Sequence, residues 1–76
     1  MPATGKIAAL ELIRDWAKSW GWTKERYVEV GNRVKEMRSQ QDRDDVRQWL
    51  LRNAFVLGLT RGRIDKLYEI IDSISL

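Results

Sequence analysis

The chain has 76 residues, of which 14 are Lys or Arg and 11 are Asp or Glu, with net charge +3 and neither Cys nor His. Disulfides, thiolate zinc sites, histidine triads and cysteine nucleophiles are thereby excluded. A chain this short forms one domain that buries only about 60% of its unfolded surface. Lack of Cys fits a reducing cytoplasm. No apolar run approaches the ~20 residues of a membrane span, and Glu11 ends the run Ile7–Leu10 too early for a signal peptide. A cytoplasmic protein with no membrane partner is the expectation.

Met1–Gly5 reads as a flexible leader, and residues 6–76 as a single helical domain. The only proline is Pro2, so nothing later in the chain breaks a helix. A first helix is predicted from about Lys6 to Trp20, with Ile7, Leu10, Ile13, Ala17 and Trp20 at helical spacing and Trp16 beside them. Gly21 suits its terminator, because glycine accepts the left-handed cap conformation without penalty. Thr23 is the predicted cap of a second helix, in which Tyr27, Val30, Val34 and Met37 mark one face. Gly31 weakens that helix by up to about 1 kcal/mol relative to alanine, and lets a neighbour approach closely.

Ser39–Asp42 is a polar break, with Asp42 or Asp44 as the expected cap of a third helix. Val46, Trp49, Leu50, Ala54 and Leu57 form its stripe. Leu51 and Phe55 widen the stripe, which predicts the most buried helix of the set, stopped by Gly58. Thr60 caps a fourth helix whose inner face is Ile64, Leu67, Ile71 and Ile74. No segment alternates with period two, so the expected class is all-α: a compact four-helix domain.

Catalysis is not expected. The carboxylate pairs Glu11/Asp15 and Glu25/Glu29, and the set Asp65, Glu69 and Asp72, lie on polar helix faces, where solvated side chains do no acid–base work. Asp42, Asp44 and Asp45 lack the glycine and the later glutamate of a calcium loop, and no Gly-Lys-Ser/Thr phosphate loop follows Gly58 and Gly62. No cofactor and no metal are expected.

One constellation points to a partner. In the run from Asn53 to Leu67, Ala54 is a small residue where two helices could cross, and Gly58 makes a turn four residues later. Leu59 and the cap Thr60 follow, and Ile64 and Leu67 supply inward anchors. This pattern resembles the helix-turn-helix of DNA-binding domains, and the resemblance implies that the start of the last helix enters a DNA groove. Asn53, where an apolar residue is usual, and Gly62, early in the recognition helix, depart from it.

The charge order of the fourth helix adds to the argument. Arg61, Arg63 and Lys66 lie at its start and Glu69 and Asp72 near its end, the reverse of what the helix dipole favours. A helix start rich in arginine suits phosphate or guanine edges. The expected nucleic-acid contacts are therefore Thr60, Arg61, Arg63 and Lys66, with Arg47 or Arg52 on the backbone, in a DNA-binding regulator that a homodimer would suit. A second basic group, Arg26, Arg33, Lys35 and Arg38, is interleaved with Glu25, Glu29 and Glu36 and reads as a solvated face.

The same stretch is similar to the end of a SAM domain, a helical protein-interaction module, in which a Leu-Gly-Leu turn precedes Gly, Arg and Lys on a long last helix. That resemblance implies a protein partner. So do the near-balanced charge and the four tryptophans. Trp16, Trp20 and Trp49 are expected in the core. Trp22, just after Gly21, is the candidate exposed aromatic and protein-interface residue, the alternative being that it packs over a helix end. The alternative to a DNA-binding regulator is thus an adaptor or inhibitor, of the kind that small phage or plasmid proteins use to block a host protein.

Overall fold

A computed structural model describes residues 5–76 and contains four helices and no strand among them. Of the leader expected over residues 1–5, all but Gly5 lies outside the described residues. The helices are α1 (Lys6–Trp20), α2 (Lys24–Lys35), α3 (Gln40–Arg52) and α4 (Arg61–Ser73). Each packs chiefly on two others: α1 on α2 and α4, and α3 on α2 and α4. No helix among the described residues is long and apolar enough to cross a membrane.

The core is the set of inward stripes. Ile13 of α1, Val30 and Val34 of α2, Leu50 of α3 and Leu67 and Ile71 of α4 are completely buried, with Met37 and Ile74 sealing the ends. Ile74 does so from just beyond the last helical residue, Ser73. At the start of α1 the predicted stripe does not hold: Ile7 is exposed and Ala9 is buried in its place. The α1 stripe therefore begins two residues later than periodicity suggested.

Local signals define most of the helix ends. Thr23 Oγ1 accepts from Arg26 N, and Thr60 Oγ1 accepts from Arg63 N, both at 3.3 Å. At α3 the cap is Ser39, not Asp42 or Asp44. Ser39 Oγ accepts from Asp42 N at 3.1 Å, and the Asp42 carboxylate reaches back to Arg38 N at 2.8 Å. Asp42 thus supports the helix start as a carboxylate in the first turn, where the dipole favours it. At the far end of α2, Lys6 Nζ donates to Lys35 O at 2.9 Å and also to Met37 O. A cation from α1 therefore satisfies carbonyls that α2 leaves open.

α3 ends five residues before its predicted stop. Asn53 is its C-cap: the backbone N–H makes the ordinary helical bond to Trp49 O at 3.0 Å, and the side-chain Nδ2 donates to the same carbonyl at 2.8 Å. An amide side chain that competes for the helical acceptor favours a helix end. Ala54 N then bonds Leu51 O, three residues back, and the segment Asn53–Gly58 runs on as turns. Gly58 closes it with φ +63, and Leu59 N bonds back to Ala54 O at 2.8 Å. The connection from α3 to α4 is therefore eight residues, Asn53–Thr60, and ordered by its own hydrogen bonds.

Two glycines separate conformational need from convenience. Gly58 adopts the left-handed region that L side chains avoid. Gly31 does not, and a Cβ there would meet Leu10 Cδ2 at an ordinary 3.7 Å. Close helix approach therefore does not require glycine at position 31. Gly31→Ala is expected to raise the unfolding free energy by roughly 0.5–1 kcal/mol and Gly58→Ala to lower it by about 1 kcal/mol, as read by urea denaturation. Equal signs for the two would contradict these backbone conformations.

Candidate interaction surface

The expected site residues fall into two groups, engaged and free. Arg63 is engaged. Its Nη1 donates to Gly58 O at 2.9 Å and its guanidinium lies 5.2 Å from the Trp20 ring centroid. It clasps the turn that precedes its own helix. Arg47 is also engaged: it lies over the Tyr68 ring at 4.7 Å and pairs with Asp72 at 3.4 Å, while Tyr68 Oη donates to Arg47 O at 3.1 Å. The Thr60 hydroxyl is used as the α4 cap. Arg52, Arg61 and Lys66 are exposed and make no contact with a polar or aromatic partner among the described residues.

Trp22 is not the exposed aromatic. It is half-buried, its Nε1–H donates to Leu57 O at 2.6 Å, and its ring meets Trp20 edge-on at 5.7 Å. Trp20 in turn stacks on Trp16 at 5.6 Å. Trp49 is buried as expected, with Arg33 4.2 Å over its ring, whereas Trp16 and Trp20 are only partly buried. The tryptophans of α1 and of the α1–α2 turn thus hold that turn against the α3–α4 connection.

The exposed aromatic is Phe55, 98% accessible at the middle of the connection, beside Leu51 (60%) and Val56 (50%). Helical periodicity placed Leu51 and Phe55 on a broad buried face. The break at Asn53 ends that periodicity and turns Phe55 outward. The Leu51 end of this apolar tip adjoins a shallow groove between α3 and α4, lined also by Asp44, Arg47, Gln48 and Tyr68.

Charge is segregated about the same place. No acidic residue lies between Asp15 and Glu25, or between Asp45 and Asp65. The first interval contains Lys18 and Lys24, and the second Arg47, Arg52, Arg61 and Arg63. These intervals hold six of the 14 basic residues and none of the 11 acidic ones, so the rest of the chain sums to −3. The contacts of Trp22 with Leu57 and of Arg63 with Trp20 join the two intervals in space. Only Arg47 is answered by a carboxylate; Arg26–Glu29 is the other ion pair among the described residues. This run without acids was present in the sequence, but helix-by-helix reading divides it between elements.

No group of three or more His, Cys, Asp or Glu side chains is placed to hold a metal ion among the described residues. The carboxylate pairs noted above are exposed. No family model, curated protein or solved structure matches the chain.

Proposed function

We propose that the chain is a non-enzymatic protein-binding domain that docks through the tip of its α3–α4 connection. The observation that carries this reading is Phe55, held almost fully in water on a hydrogen-bonded turn with Leu51 and Val56 beside it. Large apolar side chains exposed close together in the chain suit an interaction surface, and an aromatic that enters a partner's pocket is the usual kind of anchor. A rigid turn also loses little conformational freedom on binding.

Phe55 contributes little to the fold, because almost none of its surface is buried. Phe55→Ala is expected to leave the unfolding free energy within about 0.5 kcal/mol of the parent. The same change should weaken a Phe55-anchored complex by about 2 kcal/mol, near 30-fold. The test places a photoreactive benzoylphenylalanine at position 55, and at exposed Glu29 as control, in cells that make the protein. A protease-sensitive adduct unique to position 55 is expected. The captured protein, once purified, should bind Phe55→Ala near 30-fold more weakly. A nuclease-sensitive adduct, no adduct, or undiminished binding by Phe55→Ala would overturn the reading.

A second reading, a DNA-binding regulator of helix-turn-helix type, is favoured by one observation: Arg61 and Lys66 in the first half of α4, and Arg52 at the end of α3, are exposed and have no partner among the described residues. Arg63, committed to Gly58 and Trp20, is a poor groove reader, so on this reading the decisive pair is Arg61 and Lys66. Affinity for duplex DNA would then fall steeply with salt through counterion release.

A further inference from the structure

We infer that the partner of the α3–α4 tip is an acidic protein surface: an apolar pocket for Phe55 rimmed by Asp and Glu. The inference rests on the protein-docking reading above and adds the chemistry of the partner. Three observations support it.

The tip is apolar at its centre, with Phe55, Leu51 and Val56 exposed. Along the chain, Arg52 and Arg61 bracket the same connection, and Lys18 and Lys24 flank the turn that Trp22 bonds to it through Leu57 O. All four are exposed, and none has a carboxylate partner among the described residues. An apolar centre with a charged rim is the usual anatomy of a protein interface. The sign of the rim then states what the other side must carry, because like charges across an interface oppose association.

The charge also argues against a second copy seated face to face. A two-fold interface sets the same patch against itself. Here it would set the unpaired cations of one copy against those of the other, and like charges across an interface oppose association. Phosphate backbones would satisfy the cations but leave Leu51 and Val56 with nothing apolar to meet. An acidic rim around an apolar pocket satisfies both.

The test selects ligands for the full-length chain from a random peptide display library. In parallel, a random-sequence 20-base-pair duplex and phosphatidylserine-containing vesicles are titrated at 50 and 300 mM salt. Expected are enriched peptides with aliphatic or aromatic anchors among Asp and Glu. Their affinity should fall at least tenfold from low to high salt, and at least tenfold for Phe55→Ala and for the double change Arg52→Glu, Arg61→Glu. Enriched peptides that need Phe55 but are neutral or basic would overturn the acidic partner and leave protein docking in place. No enrichment, or enriched peptides indifferent to Phe55→Ala, would overturn both. So would duplex or vesicle binding that exceeds peptide binding and is lost with Arg52→Glu, Arg61→Glu.

Discussion

Leu50→Ala is expected to lower the unfolding free energy by about 3 kcal/mol, within the range of roughly 2–5 for buried Leu truncations, while Leu51→Ala next to it should cost under about 0.5 kcal/mol. Leu50 is completely buried among α3's core contacts, whereas Leu51 is 60% accessible. The large cost has two parts: the methyl and methylene groups lose their transfer out of water, and the cavity left behind refills only partly. In a domain of this size total stability is under about 10 kcal/mol, so the loss is a large share of it. A midpoint drop of some 12–24 °C follows at 4–8 °C per kcal/mol. Thermal and urea denaturation of both variants provide the check. Similar costs at the two positions would mean that α3 presents a different face to the core.

That pair also shows where local sequence rules stop. Val30, Val34 and Met37, and Leu67 and Ile71, recur at helical spacing and are all buried. Thr23 and Thr60 cap the helices they precede. Such features are legible because period and capping act within a few residues of the chain. The stripe of α3 fails beyond Arg52 because the backbone leaves the helix at Asn53, whose side chain shares Trp49 O with its own N–H. Periodicity alone extends the helix across that residue and buries Phe55 on paper. In the structure the same break makes Phe55 the most exposed large apolar side chain described. The apolar tip was therefore hidden in the sequence by the very pattern used to find core residues.

The reversed charges of α4 have a similar lesson. In the sequence, both its basic start and its acidic end look unfavourable and suggest a ligand. In space the two ends differ. The acidic end meets Arg43 and Arg47 of α3, while Arg61 at the start meets no carboxylate among the described residues. This difference between Asp72 and Arg61 depends on contacts between residues 25–31 positions apart. Of the cations read as DNA contacts, Arg63 of the groove-facing set and Arg47 of the backbone pair serve the fold, for the same long-range reason.

Arg43→Ala is therefore expected to be the most damaging change among the charged residues, costing about 2–3 kcal/mol. The last turn of α4 contains no basic residue, and its final carbonyls have few local donors: Ile74 N–H reaches Ile71 O at 3.3 Å and Ser73 Oγ reaches Ile70 O at 2.7 Å. The Arg43 guanidinium crosses from α3 and donates to Ile71 O at 3.2 Å, to Asp72 O, and to Ile74 O at 2.8 Å. A cation at this end also complements the negative pole of the helix, beside the Asp72 carboxylate. Removing it takes a charged donor from all three carbonyls, of which Ile71 O keeps only the Ile74 N–H, and hydrogen bonds to charged groups are the stronger ones to lose. Arg43→Lys should recover only part of the loss, because one ammonium cannot reproduce the planar fork that spans three carbonyls. Arg43→Met keeps much of the aliphatic stem and separates packing from capping; it should remain close to the alanine variant. Urea denaturation of the three variants decides the matter, with amide hydrogen exchange over Leu67–Ile74 as the local readout. Faster exchange confined to that segment is expected. Full recovery by Met would assign the role of Arg43 to its stem, and the end of α4 would then be held by the burial of Ile71 and Ile74 alone.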